Sequence, residues 1–328
     1  MIQPEFDINS IWNTTSTNFF DQCKKVFEFQ SSYNPVYKQW VDLSRKEQGL
    51  LNREDQIPFL PISFFKTQDV FVGTDRPTIL FESSGTTEDV VSKHWVSDIA
   101  IYEQSFLKTF DLFYGQPSDY CIIGLLPSYL ERKHSSLVHM VDKLIQVSGH
   151  PSSGFYLYNF EEVSALLKQL EAQAQQTWLI GVSFALTDFA AAYPQQLKHT
   201  QIIETGGMKG RKEELSRPAL HQLLSTQLGV KNIQSEYGMT ELLSQAYALK
   251  NGIFKCPPWM KVLVTDPDDP TSLKFAGRGI LNIIDLANIY SCSFITTQDM
   301  GEVFEDGSFS VIGRAEASDR RGCSLLVV

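Results

Sequence analysis

Between Tyr120 and Gln234, short apolar runs alternate with stretches of helical periodicity, and that alternation leaves few architectures open. Tyr120-Cys121-Ile122-Ile123-Gly124-Leu125-Leu126, Trp178-Leu179-Ile180-Gly181-Val182 and Gln201-Ile202-Ile203-Glu204 read as strands, with a fourth over Val230 to Gln234. Between them Ser135 to Val147 has helical spacing, and Asn159 with Glu162 forms a capping box ahead of Val163, Leu166, Leu167 and Leu170. A further helix halts at Pro194, and another bears Leu220, Leu223, Leu224 and Leu228 and is closed by Gly229. A strand that is apolar at successive positions has no side to give to water, so it belongs in a parallel sheet with helices on both faces. The fold class expected is therefore α/β, with a mostly parallel sheet flanked by helices.

Upstream, Phe19, Phe20, Cys23, Val26 and Phe27 place a helix over Thr17 to Gln30, and Val36, Trp40, Val41 and Leu43 place a second over Asn34 to Leu50. The segment Ile57 to Lys66 is too proline-bound for a helix and too apolar for a free linker, so it is expected to lie against the body of the protein. Ser97 reads as the N-cap of a helix carrying Ile99, Tyr102, Phe106, Phe110 and Phe113, stopped by Gly115 and Pro117. Beyond Lys250 the pattern turns to short strands, over Lys261 to Val264, Gly279 to Ile284, Ser293 to Thr297 and Phe309 to Ile312, with turns such as Asp268-Asp269-Pro270 between them. Two parts are expected: an α/β domain with a helical N-terminus over 1–245, and a β-rich portion over 246–328 that ends in a short tail carrying Cys323.

Charge and cysteine usage exclude several classes. With 28 basic against 38 acidic residues, net charge −10 and pI ≈ 5.1, the chain is a poor partner for nucleic acid. No apolar run reaches the roughly 18 residues of a membrane span, and Met1 to Asp7 lacks the basic and apolar regions of a signal peptide, so no membrane span and a cytoplasmic location are expected. The five cysteines are odd in number and widely spaced, which indicates neither a disulfide framework nor a zinc site. Cys23 and Cys121 read as core, and Cys256 and Cys292 as the candidates for exposure.

Open α/β sheets bind ligands in the crevice outside the carboxyl ends of their strands, and three segments fall at such ends. The first is Phe81-Glu82-Ser83-Ser84-Gly85-Thr86-Thr87-Glu88, held between expected strands over Thr78 to Phe81 and Val90 to Val96. Its hydroxyls and glycine can turn O–H and N–H groups toward one point, which suits phosphate oxygens; the same composition is also ordinary turn chemistry. The second is Thr205-Gly206-Gly207, where a glycine pair clears room for a flat ring. The third is Tyr237-Gly238-Met239-Thr240-Glu241, whose Thr-Glu pair can hold Mg²⁺ through oxygen, although Glu241 also reads as a first-turn helix charge. Together they make an ATP site.

In order along the chain, Ser83-Ser84-Gly85-Thr86-Thr87, Tyr237-Gly238-Met239-Thr240-Glu241, Thr297-Gln298-Asp299 with Gly301, and Gly313-Arg314 resemble the core motifs of the adenylate-forming acyl-CoA synthetase superfamily. Pro58 to Lys66, Thr205-Gly206-Gly207 with Lys209, Pro257-Pro258-Trp259 with Asp266-Pro267, and Gly322-Cys323-Ser324-Leu325 add a closer resemblance to LuxE-type acyl-protein synthetases. The resemblance implies the fold of the large N-terminal domain of adenylate-forming enzymes, and an AMP-forming ligase that uses ATP and Mg²⁺ to activate a carboxylic, fatty acid as acyl-adenylate. It further implies transfer of the acyl group to Cys323 and then to an acyl-accepting reductase or other acyltransferase. By the same resemblance Ser83, Ser84, Gly85, Thr86 and Thr87 grip phosphates, Gly206, Gly207, Tyr237 and Gly238 line the nucleotide, Asp299 accepts from ribose hydroxyls, Arg314 supports the nucleotide, and Glu241 holds Mg²⁺ beside Thr240.

The residues also depart from that pattern. Glu88 stands where the superfamily loop continues with glycine, and puts negative charge by the expected phosphates. The sequence ends at Val328, just past the segment that matches the hinge, so no lid domain with its lysine is expected. The readings that follow are replacement by another Lys or Arg, slow adenylation, an acyl carrier that has lost adenylation, or a ligase that uses CoA in the manner of phenylacetate-CoA ligase. Arg320-Arg321 favour a thiolate at Cys323; the alternative for that cysteine is a small core residue beside Leu325 and Leu326.

Overall fold

The computed structural model describes residues 2–44, 51–83, 90–126, 133–157, 159–206, 215–266 and 269–314. Its first helices and strands are α1 (Phe19–Tyr33), α2 (Pro35–Ser44), β1 (Leu60–Pro61), α3 (Phe64–Thr67), β2 (Ile79–Glu82), β3 (Lys93–Val96), α4 (Ile99–Tyr114), β4 (Cys121–Leu125) and α5 (Ser136–Ser148). There follow β5 (Gly154–Phe155), α6 (Phe160–Ala172), β6 (Thr177–Val182), α7 (Ser183–Ala192), β7 (Thr200–Thr205), α8 (Arg217–Leu228), β8 (Gln234–Tyr237) and β9 (Ala246–Ala248). The β-rich end holds β10 (Met260–Asp266), β11 (Asp269–Lys274), β12 (Gly277–Asp285), β13 (Phe294–Val303) and β14 (Phe309–Arg314). Contacts gather these into two units: one takes the described parts of Met1–Ile79, Ser92–Ser97 and Pro258–Val328, the other those of Leu80–Val91 and Asp98–Pro257. Among the described residues no helix is long and apolar enough to cross a membrane.

In the unit that contains Asp98–Pro257, a six-stranded sheet has the order β5-β4-β6-β7-β8-β9. β5, β4, β6, β7 and β8 are parallel and β9 is antiparallel to β8. Apolar side chains leave one face to meet Leu167 of α6, Leu186 and Phe189 of α7 and Leu224 of α8, so Ile123, Leu125, Leu179 and Ile202 are all buried there. On the other face the Trp178 ring lies 5.3 Å from that of Phe110 in α4. Each large side chain buried this way contributes roughly 1.5–3 kcal/mol, which is why β4 and β6 could be read directly from their apolar runs.

Local signals were less exact. Asp98, not Ser97, caps α4, its carboxylate accepting from the Ala100 N–H at 2.9 Å; a charged acceptor one residue nearer the first turn wins that position. Asn159 makes no cap bond to backbone and instead donates its amide to Glu162 at 3.0 Å. The fourth strand is Gln234–Tyr237, downstream of the expected Val230–Gln234. Its Ser235 and Glu236 are polar yet buried, because His221 and Thr205 satisfy them from neighbouring elements.

The other unit is built on a second six-stranded sheet, β1-β13-β12-β10-β11, with β14 also paired to β13. All its pairings are antiparallel except β1 with β13, where Leu60 faces Ile295. Ile57 to Lys66 is thus docked as a short strand, and Phe64–Thr67 is helical after all, since Pro58 and Pro61 both precede it. Asp269, expected in a turn, opens β11 opposite Asp266. Cys292, one of the two candidates for exposure, is instead buried. Its segment is tied down by residues distant in sequence: Gln30 of α1 donates to the Asn288 and Ile289 carbonyls at 3.0 and 2.9 Å, and Asn34 to that of Ser291 at 2.9 Å.

The crossing of β12, β13 and β14 explains Gly301. A Cβ on Gly301 would lie well inside contact distance of the Ser310 carbonyl oxygen and against Leu281. Backbone in a paired strand cannot step aside, so Gly301→Ala is expected to cost about 3 kcal/mol, the upper end of ordinary overpacking, read as a lowered midpoint in chemical denaturation.

Candidate active site

Parallel strands present their carboxyl ends on one edge of a sheet, so the segments that follow β4, β6, β7 and β8 begin at the same edge. There the Ser183 hydroxyl donates to the Gly206 carbonyl at 2.7 Å. Gly206 has φ +70 and a Cβ on it would meet nothing within 4 Å, so this glycine is set by left-handed backbone and faces open space. Gly238 is glycine for the opposite reason: a side chain there would strike the Glu236 carboxyl. Tyr237 is buried, its ring 5.8 Å from that of Phe254. Thr240 and Glu241 lie in the turn that the Leu242 N–H closes on the Met239 carbonyl at 3.1 Å, and Glu241 is 5% exposed.

The base of the hydroxyl-rich loop reaches the same edge. The Glu82 N–H donates to the His134 carbonyl at 2.8 Å, and His134 Nδ1 lies 3.1 Å from the Leu80 carbonyl oxygen. His134 stands just ahead of α5, the helix that follows β4, so these two bonds hold Ser83, half-buried, beside the start of that helix. Ser83, Gly206, Tyr237, Gly238, Thr240 and Glu241 therefore belong to one unit and one sheet edge. Ser84, Gly85, Thr86, Thr87, Gly207 and Cys323 lie outside the described residues.

Two glutamates that were given no role stand at the ends of β7 and β8. Burial works to raise Glu204, but His221, Arg217 and Ser235 outweigh it and hold its carboxyl below the usual range; Arg217 Nε is 3.2 Å and His221 Nε2 3.6 Å away. Burial pushes Glu236 up and the charge of Glu204 adds to this against the Thr205 hydrogen bond, so that it titrates at about 7. The Thr205 hydroxyl donates to Glu236 Oε2 at 2.5 Å. A signal existed in the sequence: Glu204 ends an expected strand and Glu236 lies two residues past one, each directly before a motif that bears glycine, a costly place for an acid unless it has work there.

Asp299 and Arg314 belong to the other unit, as registered partners on β13 and β14. Arg314 Nε is 3.6 Å from Asp299 Oδ1, with the arginine side chain 72% exposed, a geometry that contributes little to stability. The Asp299 N–H donates to the Thr297 hydroxyl at 3.0 Å, and that hydroxyl to the Leu281 carbonyl at 2.8 Å, which fixes the backbone of this motif. Burial pushes the thiols of Cys121 and Cys292 up to about 11 and about 12 and also raises Cys23, so these three stay protonated and unreactive.

Glu241 and Thr240 offer the oxygen donors that Mg²⁺ requires, and the ion commonly takes only one or two carboxylates beside the phosphates of its substrate. Among the described residues no group of three or more His, Cys, Asp or Glu is arranged to hold a metal.

No model of a known protein family matches the chain, and no curated protein matches it. Solved structures do. ATP-bound MatB from Rhodopseudomonas palustris shares 20% identity at a TM-score of 0.55, over 74% of this chain and 50% of its own. The ATP-bound RpMatB-BxBclM chimera B3 shares 18% at 0.54, with the same coverage of 74% and 50%. The O-succinylbenzoate coenzyme A synthetase MenE from Bacillus subtilis, in complex with AMP, is similar at 14% identity and a TM-score of 0.48, over 73% of this chain and 49% of its own. The chain spans about half the length of the solved structures it matches, and its fold is that of adenylate-forming enzyme domains, with mixed sheets, flanking helices and a β-rich C-terminal portion.

Proposed function

We propose that this protein is an AMP-forming ligase that activates a carboxylic acid with ATP. The observation that carries this reading is the gathering of Ser83, Gly206, Tyr237, Gly238, Thr240 and Glu241 at one edge of a parallel sheet, within a fold shared with ATP-bound MatB. In the finer form of the proposal the acid is a fatty acid, the acyl group passes to Cys323 as in an acyl-protein synthetase of the LuxE type, and a reductase or other acyltransferase in the cytoplasm receives it.

A carboxylate resists attack because its leaving group would be oxide. In the first step a carboxylate oxygen attacks the α-phosphorus of ATP, the bond to pyrophosphate breaks, and the acyl carbon gains AMP as a leaving group. Mg²⁺, when bound, offsets charge on the phosphates. Glu241 and Thr240 would hold that ion, Ser83 to Thr87 would donate to phosphate oxygens, and Gly206 and Gly207 would leave space for the base. In the second step the Cys323 thiolate attacks the acyl carbon and AMP departs, leaving a thioester.

The test is incubation with ATP, Mg²⁺ and labelled acids of graded chain length. Label on the protein that hydroxylamine removes is expected for at least one fatty acid; absence of ATP-dependent label with every acid would overturn the acyl-protein form of the proposal.

A further inference from the structure

Resting on the nucleotide reading of this sheet edge, we propose that Glu236 is a positioning residue that clips the end of β7 to the turn after β8, through the Thr205 hydroxyl on one side and the close-fitting Gly238 on the other. Its two carboxyl oxygens do separate work: Oε2 accepts from Thr205 at 2.5 Å, and Oε1 occupies the space where any side chain at position 238 would stand. Thr205 leads directly into Gly206, and Gly238 into Thr240 and Glu241, so one side chain sets the spacing of two segments assigned to the nucleotide.

The clip works as a neutral acid. Glu204, one residue before Thr205 on β7 and paired with Arg217 and His221 of α8, adds negative charge nearby; Tyr247 on β9 stands opposite Glu236 in register, Tyr114 of α4 approaches from the helical layer, and Gln245 packs on Gly238. In the described hydrogen bonds Glu236 has the Thr205 hydroxyl and no cationic partner, and burial, with the Glu204 charge added, keeps the proton on until about pH 7. Ionised, Glu236 would repel Glu204 and would place a second negative charge beneath a polyphosphate.

The sign of the pH dependence follows. In the unfolded chain Glu236 loses its proton near 4.5, and in the folded protein near 7. Between those values folding takes up a proton, so the folding equilibrium falls by roughly tenfold per pH unit, and the loss levels off above 7. Nucleotide binding feels the ionisation in the other window, above 7.

The experiment compares wild type, Glu236→Gln and Thr205→Val by urea denaturation from pH 4.5 to 8.5, and by calorimetric titration with Mg²⁺-ATP at pH 6 and pH 8.5. The expected result is a folding constant for wild type that drops relative to Glu236→Gln between pH 4.5 and 7, and an ATP affinity of wild type that falls roughly fivefold or more from pH 6 to 8.5. That affinity drop is expected to vanish in Glu236→Gln, and Thr205→Val is expected to weaken ATP at both values. Parallel stability profiles for wild type and Glu236→Gln overturn the clip, as does an affinity drop of equal size in both. If wild type binds no ATP at either pH, the nucleotide reading fails, while the stability comparison still decides whether Glu236 clips the two strand ends.

Discussion

Glu241→Gln is expected to lower acid-dependent pyrophosphate release by roughly a hundredfold or more, the scale on which a single preorganised charge at a reacting group is felt. Glutamine keeps the shape of the side chain and one acceptor oxygen, so the turn closed between Met239 and Leu242 should persist and the protein should fold. What is lost is the negative charge that, in the proposed role, would hold a divalent ion against phosphate. Because the side chain is only 5% exposed, solvent cannot replace that charge. A titration of rate against Mg²⁺ separates the causes: the account expects a higher Mg²⁺ requirement together with a lower maximum rate. A variant with the wild-type rate and the wild-type Mg²⁺ dependence would remove Glu241 from the site.

Cys323→Ser is expected to abolish the hydroxylamine-labile adduct altogether, while acid activation, which forms no bond to sulfur, goes on. A serine hydroxyl is far less nucleophilic than a thiolate at neutral pH, and Arg320-Arg321 assist only a group that can ionise. The other thiols offer no substitute where burial keeps them protonated, as at Cys23, Cys121 and Cys292. The comparison is made on one preparation, measuring adduct and pyrophosphate together. Equal labelling of variant and wild type would end the role of Cys323 and leave a ligase whose acceptor is free in solution.

What could be read from the sequence was whatever a local pattern fixes. The apolar runs of β4 and β6, and the helix closed by Gly229, follow from burial and from a left-handed cap, and both act over a few residues. The misplacement of β8 has the same origin turned around. Val230 to Gln234 is the more apolar stretch, but Ser235 and Glu236 enter the sheet because His221 and Thr205, distant in sequence, satisfy them. The burial of Cys292 escaped local reading for a similar reason, since the residues that tie down its segment, Gln30 of α1 and Asn34 just past it, lie some two hundred and sixty positions away.

The site divides in the same way. Thr205-Gly206 and Tyr237 to Glu241 stand out because glycines and hydroxyls at strand ends are local signals, and the structure places them at one edge together with Ser83. Glu204 and Glu236 went unnoticed because the value of a buried acid depends on partners that no local pattern reveals: Arg217 and His221 for one, Thr205 for the other. Asp299 and Arg314 stand in segments singled out as motifs, and their pairing across β13 and β14 is a property of register, which two separate segments do not disclose.

The central claim, that ATP and a carboxylic acid react on this chain to give an acyl-adenylate, is tested most directly by exchange of labelled pyrophosphate into ATP in the presence of a series of carboxylic acids. The account predicts exchange that requires both Mg²⁺ and an acid, is strongest with fatty acids and collapses in Glu241→Gln. Exchange that no acid stimulates, with the protein folded, would contradict it.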